Sequence, residues 1–411
     1  MTETKTPTVL ARQEKLPLGG LVVLAATGFL TVMLETVPSG ILPAISDGLL
    51  IAESAAGQLV TIYAIGSIVG AIPIISATMG WPRRRLLVAS LGGFAVTTAI
   101  VAVAPWFQLT LVARFLTGIF AGVTWGIIAG YASRITPARI RGRGMTIALA
   151  GAPTALAIGT PIGTLVAEMV GWRLTFLMLA LFAVVILVWA LIVLPSVPGQ
   201  AAGQQTSVVD AVRRPGVVAV IVASVLFIMG HYVLYAYNSA FILPIEGVQV
   251  GAFLLVFGLA SLVSLWSAGM LVDHHLRGFM LVSLVAFGVA LVALGVISGS
   301  TIAVYVAAAV WGLGFGGASG PGPQKALVDA AGDAVDAAQA VLVTGWNIGI
   351  ALGGIIGGVT LEAVDVGALP WAALVFILAA FIIVMTGRRN AFPARPMVIG
   401  SAPARRAEAP S

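Results

Sequence analysis

Two ionisable side chains of this chain lie inside long apolar stretches, where charge is costly. Glu35 lies in the stretch that begins at Leu18, and Arg114 lies in one that begins near residue 108. A charged side chain within a membrane is stable only when it is protonated, paired or wetted by a cavity. A buried carboxyl near a cation can exchange a proton near neutral pH. We therefore predict that Glu35 binds and releases a proton, and that Arg114 pairs with its charged form.

Each of these two residues also has a structural interpretation. Glu35 could be neutralised by an arginine for packing alone, or it could lie in a wet funnel near the outer side. Arg114 could reach lipid headgroups with its long side chain, or it could donate to backbone carbonyls and hold helices together. Both residues lie toward the outer end of their stretches, by the rise of an α-helix, which allows them to be neighbours.

Polar and aromatic side chains interrupt other apolar stretches and are candidates for lining a substrate cavity. His231 and Tyr235 are four residues apart, so they share one face of a helix. A single histidine is more often hydrogen-bonded to a neighbouring helix than used as a ligand or proton relay, and this alternative stays open for His231. The candidate cavity residues are Tyr63, His231, Tyr235, Asn238, Trp346 and Asn347.

Small residues recur every four positions in two stretches, and the second set lies 194 positions after the first. The two sets are Ala155, Gly159 and Gly163, then Gly349, Gly353 and Gly357. Small residues at this spacing form one helical face that lets another helix approach closely. Pro161 is expected to bend the first of these helices. The repeat predicts a pair of related helix contacts in two duplicated halves.

The elements that position these residues are twelve apolar stretches. The chain is 60% hydrophobic and 9% charged, and its mean hydropathy is +1.09. Stretches of about 20 residues are long enough to cross a hydrocarbon core of about 30 Å as helices. We predict spans at 18–46, 56–79, 86–104, 108–132, 145–169, 173–195, 215–243, 250–272, 279–298, 301–323, 339–362 and 369–387.

Positive charge follows the order of these spans. Of the 21 Lys and Arg residues, all except Arg114 and Arg173 lie in the terminal tails or in alternate gaps between spans. Basic loops mark the cytoplasmic side of a membrane protein. Twelve spans return the chain to its starting side, so both termini are predicted to be cytoplasmic.

The predicted organisation has two helical bundles joined by a polar segment. That segment, 196–214, is rich in Gln, Gly, Ser and Pro and separates six spans from six. We predict a cytoplasmic N-terminal tail at 1–17, bundles at 18–195 and 215–387, and a cytoplasmic C-terminal tail at 388–411. The predicted fold is therefore an all-α membrane protein with twelve transmembrane helices in two pseudo-symmetric six-helix bundles.

Three segments of the chain carry motifs that point to a known family. Leu111 to Gly122 reads LVARFLTGIFAG and contains Arg114 and Gly118. A second segment contains Gly159, Thr160, Pro161 and Gly163, and the opening TVMLETVPSGILPAIS contains Glu35. In that order, these segments resemble the arginine-containing motif, the antiporter motif and the first span of the twelve-span drug:proton antiporter branch of the major facilitator superfamily, which includes bacterial sugar and chloramphenicol exporters. The resemblance covers about residues 18 to 387.

Two positions depart from the family pattern. The loop after the second span usually has an Asp-Arg pair before Gly-Arg-Arg, and here it reads Gly80, Trp81, Pro82 and then three arginines. Thr160 and Thr164 stand where glycines are commoner. The resemblance implies asymmetric cytoplasmic gate loops, formed by Arg83, Arg84 and Arg85 in the first half and by Asp273 and Arg277 in the second.

The resemblance implies proton-coupled efflux of a small, mostly apolar organic compound, such as a drug, antibiotic or sugar derivative, by a monomer in a bacterial inner membrane. Uptake by a symporter or facilitator, or a non-transporting membrane sensor on the same fold, are the alternatives. The sequence favours a transporter over an enzyme, since it contains no phosphate-binding loop and no nucleophile elbow. Cysteine is absent and only three histidines are present, so we expect no metal site and no cofactor. The basic residues are spread over short loops, which argues against nucleic-acid binding.

Overall fold

A computed structural model describes residues 16–78, 80–137, 140–198, 208–296 and 300–393. Most of both predicted tails, and the centre of the predicted loop at 196–214, lie outside the described residues. Every described regular element is helical. The first half contains α1 Leu18–Gly40, α2 Leu42–Leu49, α3 Glu53–Ala77, α4 Arg83–Val103, α5 Phe107–Ile135, α6 Arg141–Leu149, α7 Gly151–Thr154, α8 Thr160–Val170 and α9 Trp172–Val193. The second half contains α10 Val208–Arg213, α11 Val217–Tyr235, α12 Asn238–Ile242, α13 Val250–Val296, α14 Thr301–Phe315, α15 Pro321–Ala331, α16 Val335–Ala363 and α17 Leu369–Thr386.

Two predicted spans are broken helices. The first span breaks at Ile41, whose φ of −130° and ψ of 22° are not helical. Pro43 is the second residue of the next helix, where a backbone N–H would have no hydrogen-bond partner within the helix, so the N–H that proline lacks is not missed. The seventh span breaks in a similar way at Tyr237, between α11 and α12. Glu35 lies before the first break, and His231 and Tyr235 lie before the second.

The fifth span contains a π-helical segment at Ala155–Gly159, which joins α7 to α8. Pro161 lies in the first turn of α8. A proline ring clashes with the carbonyl four residues earlier in a regular α-helix, and a π segment is one way in which a helix absorbs such a misfit. The wider π-helical turn directly before Pro161 therefore accommodates the proline within the fifth span.

The eighth and ninth predicted spans are continuous in α13, which has 47 residues and is interrupted by non-helical backbone at His275. A straight helix of that length would be about 70 Å long, more than twice the thickness of a hydrocarbon core. Asp273 and Arg277 flank this break. The predicted loop between the two spans is thus a short interruption within helical backbone.

The number of membrane-length helices does not settle the predicted count of twelve spans. Among the described residues, nine helices are long and apolar enough to cross a membrane, or ten if α2 and α3, which are bent by 112°, count as one span. That number counts α13 once and leaves out α14, which has only 15 residues. Helical membrane architecture is confirmed, and the count of twelve stays a prediction.

The helices pack in two groups, α1–α9 and α10–α17. In the first group α5 packs on α3 and α4, and α9 packs on α4; in the second, α11 packs on α16 and α17. One end of the first group, here called the basic end, carries Arg83, Arg84 and Arg134 beside the end of α9. Arg134 donates to the carbonyl of Pro198 at 2.6 Å, and the backbone N–H of Arg83 donates to Val197 at 3.0 Å.

The two groups meet through α3 with α16, α8 with α13, and α1 and α2 with α12. Several of these contacts lie at the end opposite the basic end, since α3 begins there at Glu53 and α16 ends there at Ala363. The Ser54 hydroxyl donates to the carboxylate of Glu362 across this contact. The groups are therefore closed against each other at the opposite end.

Candidate functional site

Glu35 lies in α1 at the contact between the two groups. Its carboxylate oxygen Oε1 accepts a hydrogen bond from the hydroxyl of Tyr232, in α11, at 2.5 Å. The two side chains are buried, with 9% and 6% of their surfaces exposed. Hydrogen bonds to ionised acceptors are shorter and stronger than neutral ones. The carboxylate of the first group is thus held directly by the second group.

Arg114, in α5, is almost fully buried and contacts backbone rather than a carboxylate. Its Nε donates to the carbonyl of Leu59 at 3.1 Å, and its Nη1 donates to the carbonyl of Leu34. The guanidinium carbon also lies 4.6 Å from the ring centre of Tyr63, at a distance typical of a cation–π contact. Among the described residues, Arg114 forms no ion pair closer than 4.0 Å. Arg114 therefore joins α5 to α1 and α3 beside Glu35, without a direct ion pair in this arrangement.

Tyr63 has a structural role that the sequence does not reveal. Its hydroxyl donates to the carbonyl of Thr31 at 2.9 Å, while its ring supports Arg114. The hydroxyl and the ring of Tyr63 thus both contact other groups of the protein. The predicted place of Tyr63 in a substrate cavity stays a prediction.

The antiporter-like segment packs on the helix that carries Glu35. The hydroxyls of Thr36 and Thr160 lie 2.6 Å apart. A β-carbon at Gly163 would lie 2.8 Å from a methyl carbon of Val37, so the glycine allows this close approach. The departure from glycine at position 160 therefore adds a hydrogen bond between α8 and α1.

The second glycine set packs on α11 in a related way. A β-carbon at Gly353 would lie 2.7 Å from the carbonyl oxygen of Met229 and 2.8 Å from the β-carbon of Tyr232. Gly349 and Gly357 approach the carbonyls of the preceding and following turns of α11. Each of the two sets of small residues thus packs on the helix that carries one partner of the Glu35–Tyr232 bond.

His231 lies in a cluster of aromatic rings from α11, α13 and α14. Its ring stacks on Phe315, with centroids 4.0 Å apart, and on Tyr235, at 4.6 Å. Trp311 packs edge-on at 5.3 Å. Within the described residues, neither ring nitrogen of His231 nor the indole nitrogen of Trp311 has a hydrogen-bond partner. These buried polar atoms are available to a ligand that reaches the cluster.

The other cavity candidates are placed separately. The Asn238 side chain donates to the carbonyl of Tyr235 at 2.6 Å, which ties the start of α12 to the end of α11. Asn347 donates to Val343 of its own helix at 3.1 Å, and Trp346 is half-buried beside it in α16. The structure brings His231 and Tyr235 together and leaves Trp346 and Asn347 outside their aromatic cluster.

Two of the five residues predicted to form gate loops donate to backbone carbonyls. Arg84 donates to the carbonyl of Leu191, and Arg277 donates to the carbonyl of Met385 at 2.7 Å. Arg83 is buried at the start of α4, where Arg85 is exposed. Asp273 lies beside the break in α13. The proposed gating role of all five residues stays a prediction.

Sequence reasoning missed the residues that join the two groups. Neither Tyr232 nor Ser239 is among the residues predicted to form the site. The Ser239 hydroxyl accepts from the N–H of Leu42 at 3.2 Å and donates to the carbonyl of Ser39 at 2.7 Å. Both missed residues lie 197 positions after their partners, Glu35 and Leu42, close to the repeat offset of 194. That coincidence is the signal that could have found them.

Comparisons with known proteins agree with this architecture. The profile of the Major Facilitator Superfamily matches residues 24–321. A probable sugar efflux transporter of Mannheimia succiniciproducens is 29% identical over 345 residues, which is 83% of this chain and 87% of that protein. A chloramphenicol efflux pump of Mycobacterium tuberculosis is 31% identical over 356 residues, which is 83% of this chain and 86% of the pump.

A solved structure shares the fold. It is a bacterial homologue of the human lysosomal transporter Spinster, in an inward-facing and unoccupied conformation, and it aligns with a TM-score of 0.67 at 15% identity. The alignment covers 94% of this chain and 98% of that one. The family profile, the relatives and the helical fold thus agree, and this multi-span membrane protein belongs to the Major Facilitator Superfamily, whose members are transporters and not enzymes.

Proposed function

We propose that this chain exports a small, mostly apolar organic compound in exchange for protons, by alternating access of its two helix groups. The observation that carries this proposal is the position of Glu35. It is a buried ionisable group at the contact between the groups, hydrogen-bonded to the opposite one. Intramembrane ionisable residues usually mark ion or substrate pathways. A carboxyl at a moving contact can take up a proton in one arrangement and release it in the other.

The direction and cargo are supported by the relatives and by the site. Two relatives of about 30% identity carry names that describe efflux, of a sugar and of chloramphenicol. The aromatic cluster around His231, near Glu35, is built from aromatic rings and a few neutral polar groups. Such groups suit a neutral, mostly apolar drug, antibiotic or sugar derivative. One proton that moves down a potential of 100 mV supplies about 2.3 kcal/mol for its export.

The proposed orientation places the basic end in the cytoplasm, because basic loops are retained on that side. Both termini would then be cytoplasmic, in the plasma membrane of a bacterium, and the protein would act as a monomer. The units that move would be 18–195 and 215–387, linked through 196–214. The arginines at the basic end and the break in α13 would form the cytoplasmic gate.

The test uses purified protein in liposomes with an imposed pH gradient. A panel of antibiotics, sugars and nucleosides is added, and compound-dependent proton flux is recorded for wild type and for Glu35→Gln. We expect flux with at least one compound and its loss in the variant. Compound movement without proton flux in both proteins would replace this proposal with a facilitator. Binding without any movement would favour the sensor.

A further inference from the structure

The bond between Tyr232 and Glu35 depends on the charge of the carboxyl. The Tyr232 hydroxyl lies 2.5 Å from Oε1 of Glu35, and when the carboxyl is ionised it accepts a charge-assisted hydrogen bond from this hydroxyl. Such a bond is roughly twice as strong as one between neutral groups. Both partners are buried, so water does not replace the bond when it weakens. A proton on Glu35 therefore loosens a contact between the two helix groups.

We propose that Tyr232 is the positioning residue that locks the empty transporter while Glu35 is charged. The Tyr232–Glu35 bond holds the two groups in the arrangement seen here, and it is released when Glu35 takes up a proton or when cargo displaces the hydroxyl. This inference rests on the proposed function, since it assumes that Glu35 carries the exchanged proton. An exchanger needs such a lock, because an empty, charged form that moved freely would let cargo flow without proton exchange.

The packing around Tyr232 fixes the hydroxyl toward α1. Gly353 of α16 lies against the β-carbon of Tyr232, where no larger residue fits. The ring of Tyr232 also packs edge-on against His231 at 5.2 Å and against Tyr235 at 5.8 Å. Movement of α11 therefore carries the hydroxyl with it. A change in the bond to Glu35 is transmitted to the whole second group.

Several other ionisable groups lie near Glu35, but the hydrogen bond to its carboxylate comes from Tyr232. From the first group, Arg114 and Tyr63 lie near the carboxylate. The Tyr63 hydroxyl and the Nε and Nη1 of Arg114 donate to backbone carbonyls, while Nη2 of Arg114 has no hydrogen-bond partner within the described residues. From α11, Tyr235 and His231 lie beyond Tyr232 in the aromatic cluster. The other helices that pack on α1 bring their charged side chains to the two ends, as with exposed Glu168 in α8 and with Arg173 in α9. Within the described residues, Tyr232 supplies the direct hydrogen bond to Glu35.

The experiment compares Tyr232→Phe with Tyr237→Phe. The Tyr237 hydroxyl also joins the two groups, because it accepts from Gln58 at 3.2 Å and donates to the carbonyl of Gly354 at 2.9 Å. Neither of these partners ionises. The chain has no cysteine, so spin labels can be placed on Leu50→Cys and Leu243→Cys, two exposed positions of different groups near the opposite end. Label distance against pH, and cargo flux in liposomes, are measured for each variant.

We expect the label distance in wild type to grow as pH falls through a midpoint. Tyr232→Phe should move that midpoint to higher pH by about one unit, because a charge-dependent bond worth about tenfold in equilibrium is lost. The same variant should still pass cargo down its own gradient but should no longer build a cargo gradient from a pH gradient. Tyr237→Phe should change the distance equally at all pH values and keep the midpoint.

The responses of Glu35→Gln and Tyr232→Phe distinguish a wrong assignment of the lock from a wrong proposed function. If Glu35→Gln abolishes the pH response and Tyr232→Phe keeps the wild-type midpoint and full coupling, the lock is not Tyr232. If Glu35→Gln leaves the pH response intact, the proposed function itself fails. Glu35→Asp is a second variant in case Tyr232→Phe does not fold. It keeps an ionisable carboxyl but withdraws it by one methylene, and retention of full coupling there would also overturn the lock.

Discussion

The hydroxyl oxygens of Thr36 in α1 and Thr160 in α8 lie 2.6 Å apart, and both side chains are fully buried. Thr36 also donates to the carbonyl of Val32 at 2.8 Å, within its own helix. The pair therefore links the helix that carries Glu35 to the segment that contains Pro161. This link stands at a position where a glycine would leave the two helices joined only by packing.

Removal of the Thr160 hydroxyl should weaken this link. Thr160→Val keeps the shape of the side chain but removes its bond to Thr36, and we expect the free energy of unfolding to fall by about 1 kcal/mol. Thermal unfolding in detergent measures the change. Thr164→Val is the matched control, since the buried Thr164 hydroxyl has no hydrogen-bond partner within the described residues. Equal destabilisation of both variants would contradict the assigned role of the pair.

A methyl group at Gly353 should push α16 away from α11. Its β-carbon would lie within 3 Å of the Met229 carbonyl oxygen and of the Tyr232 side chain, and overpacking of this kind costs about 1–3 kcal/mol. We expect Gly353→Ala to lower the unfolding temperature and to impair transport. Gly130→Ala, in α5, is the control because nothing lies within 4 Å of its added carbon. That control should be neutral or slightly stabilising, and a similar loss in both variants would count against the contact.

Replacement of Arg114 by lysine should destabilise the protein although it keeps the charge. Lysine lacks the planar fork that reaches the carbonyls of Leu34 and Leu59 together. Loss of one hydrogen bond to a charged donor costs about 1.5–3 kcal/mol, and thermal unfolding measures it. Arg173→Lys is the control, since Arg173 also donates to two carbonyls, those of Ala102 and Ala104, but is only half-buried. If the two variants lose equal stability, burial of Arg114 is not what makes its contacts important.

Loss of the Ser239 hydroxyl should open the opposite end. This hydroxyl bonds to both sides of the helix break at Ile41, so Ser239→Ala leaves the Leu42 N–H and the Ser39 carbonyl without it. The readout is reaction of an impermeant maleimide with a cysteine placed at buried Ile45, which we expect to become several-fold faster. Ser267→Ala is the control, since its hydroxyl bonds only to its own helix. An unchanged reaction rate in Ser239→Ala would show that this hydroxyl does not hold the closed end.

Much of the architecture can be read from the sequence because the bilayer imposes it. Apolar length predicts helices that cross a membrane, and the two glycine stripes predict close helix contacts, which the structure shows on α1 and α11. The break at His275 falls in the predicted loop between the eighth and ninth spans. The breaks at Ile41 and Tyr237 were not predicted, because both lie inside stretches whose average hydropathy is that of a continuous span, although Pro38 and Pro43 flank the first of them.

The amino-acid sequence by itself determined which residues are costly to bury. Glu35, Arg114 and His231 stand out in any apolar stretch, because their polar atoms need partners that lipid does not supply. The tertiary structure alone decided which partners they have. Arg114 binds carbonyls of two other helices, and Glu35 binds Tyr232 from the other helix group. Such pairings depend on how helices distant in sequence are rotated and brought together, and no local pattern encodes that geometry.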